Sequence, residues 1–122
     1  MQFFGRRYMQ IVKEKILIDD LKKMSEKMFS QLVKAVVDTD QEIMVVDAEM
    51  HADEEELLLE NGSSQGNLWG INIYPYETGD NWIEFDSMIN IRPSWGNKSR
   101  SVDDPKIREK IIKIVYKLVQ KC

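Results

Sequence analysis

"NLWGINIYPYETGDNWIEFDSMINIRP", residues 67–93, is the stretch on which the fold turns. Two runs of β-branched and aromatic residues flank "YETGD", residues 76–80, whose Gly79 and Asp80 are turn formers, so the stretch reads as an antiparallel hairpin. Strand side chains alternate between faces, and that alternation proposes a register. Pairing Trp69, Ile71 and Ile73 on one face with Ile83, Phe85, Ile89 and Ile91 sends Asn72, Tyr74, Glu84, Asp86, Asn90 and Arg92 to the opposite face. A slip of one residue would mix the two sets, so one face is expected to be core and the other polar.

The elements on either side follow from this hairpin. Upstream, "HADEEELLLENG" has helix grammar: acids at positions 53–56 suit the positive end of the backbone dipole, and Gly62 can take the left-handed position that ends a helix. So short a helix needs Leu57, Leu58 or Leu59 docked on the sheet. Before it, "LVKAVVD" and "EIMVVDAEM" read as two strands joined by a polar link at residues 38–41, with Met44, Val46, Ala48 and Met50 on one face of the second. "IVKEKILI", residues 11–18, reads as a short first strand, and the spacing of Leu21, Met24, Met28 and Leu32 predicts a helix at about 19–30. Downstream, Asp104 is a cap, Pro105 suits a first turn, and Ile107, Ile111, Ile114, Val115 and Leu118 form the stripe of a final helix at about 105–120. The order is β-α-β-β-α-β-β-α. That is the α+β class, with a four- to five-stranded, largely antiparallel sheet and three helices.

A chain of 122 residues fits a single compact domain, residues 1–122 with a core at 11–120, and residues 1–10 read as a frayed or tag-like end. Hydrophobic residues at 43% and charged residues at 31% exclude a disordered chain. Cys122 has no intrachain partner, which rules out a disulfide framework and suits a reducing compartment. Arg6, Arg7, Lys13, Glu14 and Lys15 interrupt each early apolar run, so no membrane partner is expected and the localisation expected is cytoplasmic. The net charge of −4 is unevenly spread: residues 38–60 hold ten acids and no lysine or arginine, whereas residues 92–121 hold nine bases against Asp103, Asp104 and Glu109.

Five places in the sequence carry candidate chemistry. His51 and Asp53, with Glu49, Glu54 and Glu55 nearby, have spacing seen in some metal sites, but one imidazole is a poor donor set for a transition metal. His51 and Asp53 therefore stand as weak metal candidates, and no metal or other cofactor is expected. His51 could act as a base for Ser63 or Ser64, yet no G-x-S-x-G elbow supports the pairing. Glu84 and Asp86 could split their pKa values for acid–base work, although alternating acids on a strand more commonly face solvent. Residues 38–49 place acids at four positions of a calcium-loop template, but Ile43 stands where glycine must turn the chain. "RPSWGNKSR", residues 92–100, combines three bases, an aromatic ring and a glycine, as in a phosphate cradle or a single-strand contact. A pI near 5.1 and the acids Asp103 and Asp104 beside it disfavour nucleic acid.

Taken together, "VKAVVD", "HADEEELLLENGS", "LWGINIYP", "IEFDSMINIRP", "GNKSR" and "DPKIREKI" resemble a small uncharacterised prokaryotic family of unknown function, over roughly residues 11–119. The resemblance implies a stand-alone cytoplasmic domain and contributes no catalytic residue. The chain departs from that pattern at Leu17, where the family more often has a capping serine, and at Asp47 and Ala48, where glycines are common. The expected function is a non-enzymatic binding or protein-interaction module for an unknown protein or small polar ligand. Its candidate binding residues are Asn72, Tyr74, Glu84, Asp86, Asn90, Arg92, Trp95, Lys98 and Arg100. The alternatives are a metal-assisted hydrolase centred on His51 and Asp53, and a weak single-stranded nucleic-acid binder through the 92–100 loop.

Overall fold

Val33–Asp38 and Leu68–Ile73, the two most continuous β-branched and aromatic runs, pair antiparallel at the centre of the sheet. The computed structural model of the protein describes residues 9–28 and 31–121. Residues 1–8, the expected helix end at Phe29 and Ser30, and Cys122 lie outside the described residues. In chain order the elements are β1 (Gln10–Val12), β2 (Ile16–Leu17), α1 (Ile18–Ser25), β3 (Val33–Asp38), β4 (Ile43–Ala48), α2 (His51–Glu60), β5 (Leu68–Ile73), β6 (Ile83–Glu84), α3 (Pro105–Leu118) and β7 (Val119–Gln120). One antiparallel sheet runs β1-β4-β3-β5-β6, and β2 and β7 form a small parallel pair. The α+β reading holds, with three helices and a five-stranded main sheet.

Both faces of the sheet are covered. On one face Ala35, Val37, Met44, Val46, Trp69, Ile71 and Ile73 pack with Leu21 of α1 and with Ile111, Ile114, Val115 and Leu118 of α3. On the other, Val36, Val45 and Leu68 pack with Leu58 of α2. Each such side chain removed from water contributes about 1.5–3 kcal/mol, which outweighs the weak intrinsic stability of a ten-residue helix. The final helix is built as its sequence implies: the Asp104 carboxylate accepts from the Lys106 N–H at 2.9 Å, and Pro105 occupies the first turn.

Four local expectations are corrected. "IVKEKILI" is not one strand, because the exposed run Lys13, Glu14, Lys15 carries the chain out of the main sheet, leaving β1 beside β4 and β2 beside β7. The first helix spans residues 18–25 rather than 19–30. Leu17 provides it no side-chain cap, and it ends in turns in which Lys27 and Met28 donate to the carbonyls of Met24 and Ser25. Val119 and Gln120 leave the last helix to form β7.

The largest correction concerns the second arm of the hairpin. Asn72 pairs with Glu84 and Ile73 with Ile83, as the register predicted, but the strand stops there. The Ser87 hydroxyl accepts from the Ile89 N–H and starts a 3-10 turn over Met88–Asn90, a side-chain bond that competes with the ladder. Ile89 consequently packs on the α2 face rather than with Trp69, Ile91 is exposed, and Asn90 and Arg92, expected on a polar solvent face, are buried.

Asp47 sits at a β-bulge with φ of +74°, a conformation that favours glycine. Its carboxylate meets the Lys27 ammonium at 2.9 Å.

Candidate functional site

The first turn of α2 and the segment after β6 meet over Gly70 of β5. A Cβ on Gly70 would lie 2.5 Å from both Cβ and Oγ of Ser87 and 3.2 Å from Cδ2 of His51, so glycine is what lets these side chains close over the strand. Beside this contact lies a cleft of about 210 Å³, lined by Lys34, Met50, His51, Ala52, Asn72, Asp86, Ser87, Met88, Ile89 and Arg100. It joins five separate stretches of sequence. Of the candidate binding residues, Asn72, Asp86 and Arg100 line it. Tyr74 and Glu84 adjoin Asn72, because Glu84 accepts from the Tyr74 hydroxyl at 3.1 Å and from Asn72 Nδ2 at 2.9 Å.

His51 has a defined tautomer. Its Nε2 is 2.7 Å from the Ile71 carbonyl, which can only accept, so Nε2 carries the hydrogen. Burial holds the imidazole pKa below its ordinary value, against the opposing pull of the Ile71 carbonyl. The ring is therefore neutral near pH 7, and Nδ1 keeps its lone pair. Asn72 is 6% exposed; both its amide hydrogens are used, on Glu84 and on the Asp86 carbonyl, and its Oδ1 has no hydrogen-bond partner among the described residues. At the rim, Arg100 Nε donates to Asp86 at 2.5 Å, and Lys34 Nζ donates to the Glu49 carbonyl.

The other candidates lie elsewhere. Asp53 is not part of the cleft lining, and among the described residues no group of three or more His, Cys, Asp or Glu is arranged to hold a metal. Ser63 donates to Asp38 at 2.6 Å rather than to His51, and Asp38, the first residue of the calcium-like run, instead accepts from the N–H groups of Asp40 and Gln41 to form the β3–β4 turn.

The 92–100 loop is not a single basic surface. Arg92 lies between the rings of Trp69 and Trp95, 4.9 and 5.6 Å from their centres, donates to the carbonyls of Ile89 and Leu68, and pairs with Glu55 at 3.4 Å. Asn90 Oδ1 accepts from the Gly70 N–H at 2.8 Å while its Nδ2 donates to the carbonyls of Gly70 and Arg100. Asn97 Nδ2 holds the carbonyls of Asn90, Ser99 and Ser101. Buried amides thus fix the loop, leaving Trp95 58% exposed beside a second cleft that Trp69, Gly96, Asp103 and Asp104 also line, with Lys98 at the surface.

The acids of α2 divide in role, which their uniform run concealed. Glu54 is fully buried, its Oε2 accepts from the Ala48 N–H at 3.2 Å, and its Oε1 has no partner among the described residues. Burial raises its pKa well above the carboxylate range. The folded state therefore keeps a proton that the unfolded chain releases above about pH 4.3. Stability from this group is fully present below that pH and is lost as pH rises towards the folded value, at up to about 1.4 kcal/mol per pH unit. Glu54→Gln should remove this loss. In paired urea melts the variant should gain on the wild type between pH 5 and pH 8, roughly up to that limiting slope, and a difference independent of pH would refute the assignment. His51 has the opposite sign, since its lowered pKa adds stability as pH rises towards its unfolded value, but it cancels in the paired comparison.

Fold and cleft together define a small three-layer α+β domain with a recessed cleft at the start of α2 and no membrane-spanning helix among its described residues. The family model described as "Protein of unknown function (DUF5674)" matches residues 10–118, and the chain belongs to that family. Neither a curated protein nor a solved structure matches it.

Proposed function

We propose that the protein is a non-enzymatic binding module whose ligand site is the cleft at the start of α2. The cleft itself carries the reading, because it draws on five separate stretches of sequence and gathers Lys34, His51, Asp86 and Arg100 around one recess. The cleft, at about 210 Å³, fits one chemical group of a partner or a small polar molecule rather than a large substrate. Exposed Met50 and Met88 at its mouth supply adaptable apolar contact. Engagement of Ser87 Oγ by the Ile89 N–H, and of His51 Nε2 by the Ile71 carbonyl, supports binding over nucleophilic catalysis, which needs the hydroxyl and base paired to each other.

Nuclear magnetic resonance of nitrogen-15-labelled protein tests the reading against a panel of small neutral, cationic and anionic polar molecules. Saturable shifts are expected at the Asn72 side chain, the His51 ring and the Ser87 amide. Shifts confined to Gly66, Trp95 and Gly96 would move the site to the tryptophan cleft, and turnover of an ester probe that His51→Ala abolishes would restore the hydrolase alternative.

A further inference from the structure

Of the three tryptophans, Trp82 and Trp69 are packed into the core, whereas Trp95 is 58% exposed. An indole left in water adds little to folding, yet the backbone that carries this one is tightly held. Asn97 Nδ2 donates to the carbonyls of Asn90, Ser99 and Ser101, and its Oδ1 accepts from the Asp103 N–H at 2.7 Å, which ties the Trp95 turn to the start of α3. The ring reaches back to Gly66, where an added Cβ would lie 3.8 Å from Trp95 Cζ3. Where this turn, β5 and α3 meet, a cleft of about 400 Å³ is walled by Trp69, Trp95 and Ile107 and carries the carboxylates of Asp103 and Asp104.

The charge around this cleft is of one sign. Among the described residues no lysine, arginine or histidine lines it. The three bases of the loop are placed elsewhere: Arg92 is buried and paired with Glu55, Arg100 is paired with Asp86, and Lys98 stands outside the lining. Asp103 and Asp104 are exposed, and among the described residues neither is in an ion pair. The Ser99 hydroxyl and the Lys98 N–H donate to Asp103 and hold its carboxyl below the usual carboxylate range, with Arg108 adding a smaller pull. An entering cation meets two carboxylates and an indole whose face attracts positive charge. An anion is repelled by both acids, and a neutral group gains from neither.

We propose that this cleft binds an organic cation, an ammonium or guanidinium group on an aliphatic stem, with the charge against Asp103 and Asp104 and the stem on the Trp95 ring. The site is separate from the cleft at the start of α2 and does not depend on it.

Butylammonium, butanol and pentanoate share a butyl stem and differ in the head group, so titrating each into nitrogen-15-labelled protein separates cation, neutral and anion. Butylammonium should shift the Trp95 indole N–H and the Gly66 and Gly96 amides, and should bind at least about fivefold more tightly than butanol, as one exposed cation–π contact and one exposed ion pair together imply. Trp95→Leu should abolish that preference. Asparagine caps a helix as well as aspartate, so Asp104→Asn should weaken butylammonium about two- to fivefold and leave butanol unchanged. N-acetyl-lysine methylamide reads the source of the cation: tighter binding than butylammonium assigns a side chain of a protein partner, and weaker binding a free amine. Butanol or pentanoate binding at Trp95 as tightly as butylammonium, or a butylammonium affinity that neither variant changes, would overturn the proposal. Shifts confined to His51 and Ser87 would overturn it and leave the α2 cleft standing.

Discussion

Asn90→Ala should lower folding stability by about 3–5 kcal/mol, more than the removal of any single exposed polar group. The side chain makes three hydrogen bonds to backbone, and two of them serve Gly70 on both its N–H and its C=O. It does for β5 what a sixth-strand residue would do, at the level where β6 has already left the sheet. Truncation leaves a buried donor and a buried acceptor without partners, and their desolvation is not recovered. The midpoint of a urea melt should fall with little change in slope. A loss below about 1 kcal/mol would mean that water replaces the amide at no cost, and that the 87–103 segment is held by other means. Asn90→Asp offers a second reading of the same contact. It keeps the acceptor for Gly70 but sets a carboxylate against the carbonyls of Gly70 and Arg100, so its stability should recover as pH falls and the carboxyl protonates.

Ile111→Asp should abolish the cooperative transition altogether. Ile111 is fully buried in the stripe that α3 lays on the sheet, and among the described residues no lysine or arginine belongs to that core cluster. An unpaired charge in that position costs several kcal/mol, of the order of the whole stability of a domain this size. The neighbouring position provides the control, because Ile112, about 100° further round the helix, is 37% exposed. Ile112→Asp should stay within about 0.5 kcal/mol of the wild type. Thermal melts of the two variants, followed by circular dichroism, compare the buried and exposed sides directly, and similar melting temperatures for both would refute the packing of α3.

Elements dominated by periodicity were legible from sequence, and elements made by side chains were not. The α3 stripe, its Asp104 cap and the alternation of β5 all follow from local pattern, because a helix or strand buried on one side repeats its apolar residues at a fixed interval. "NWIEFDSMINIRP" alternates as well as β5 does, yet only Ile83 and Glu84 are strand. Its path is set by side chains bonding to backbone, Ser87 to Ile89 and Asn97 to Asn90, Ser99 and Ser101 close by and Asn90 to Gly70 far back in sequence, and periodicity carries no trace of that. The candidate site shows the same limit. His51 stood out as the only histidine, and Asn72, Asp86 and Arg100 as polar residues of the hairpin and loop, but that they share a cleft depends on Gly70 admitting Ser87 and α2. Glu54 was indistinguishable from Asp53, Glu55 and Glu56 because all four suit a first helical turn. Only docking shows that Glu54 points inward and that Glu55 pairs with Arg92.

The occupation of the β5 margin by side chains has a consequence for self-association. "LWGINI" is six uncharged residues of strand-forming character, the type of segment that stacks into cross-β aggregates when its backbone is accessible. Beyond the two residues paired to β6, its outward polar groups are taken by Asn90 at Gly70 and by the Arg92 guanidinium at Leu68. A strand from another copy cannot dock there without first displacing both. Short side-chain bonds thus close an edge that would otherwise need a full strand, and they keep a fibril-prone sequence from templating its own kind at high concentration.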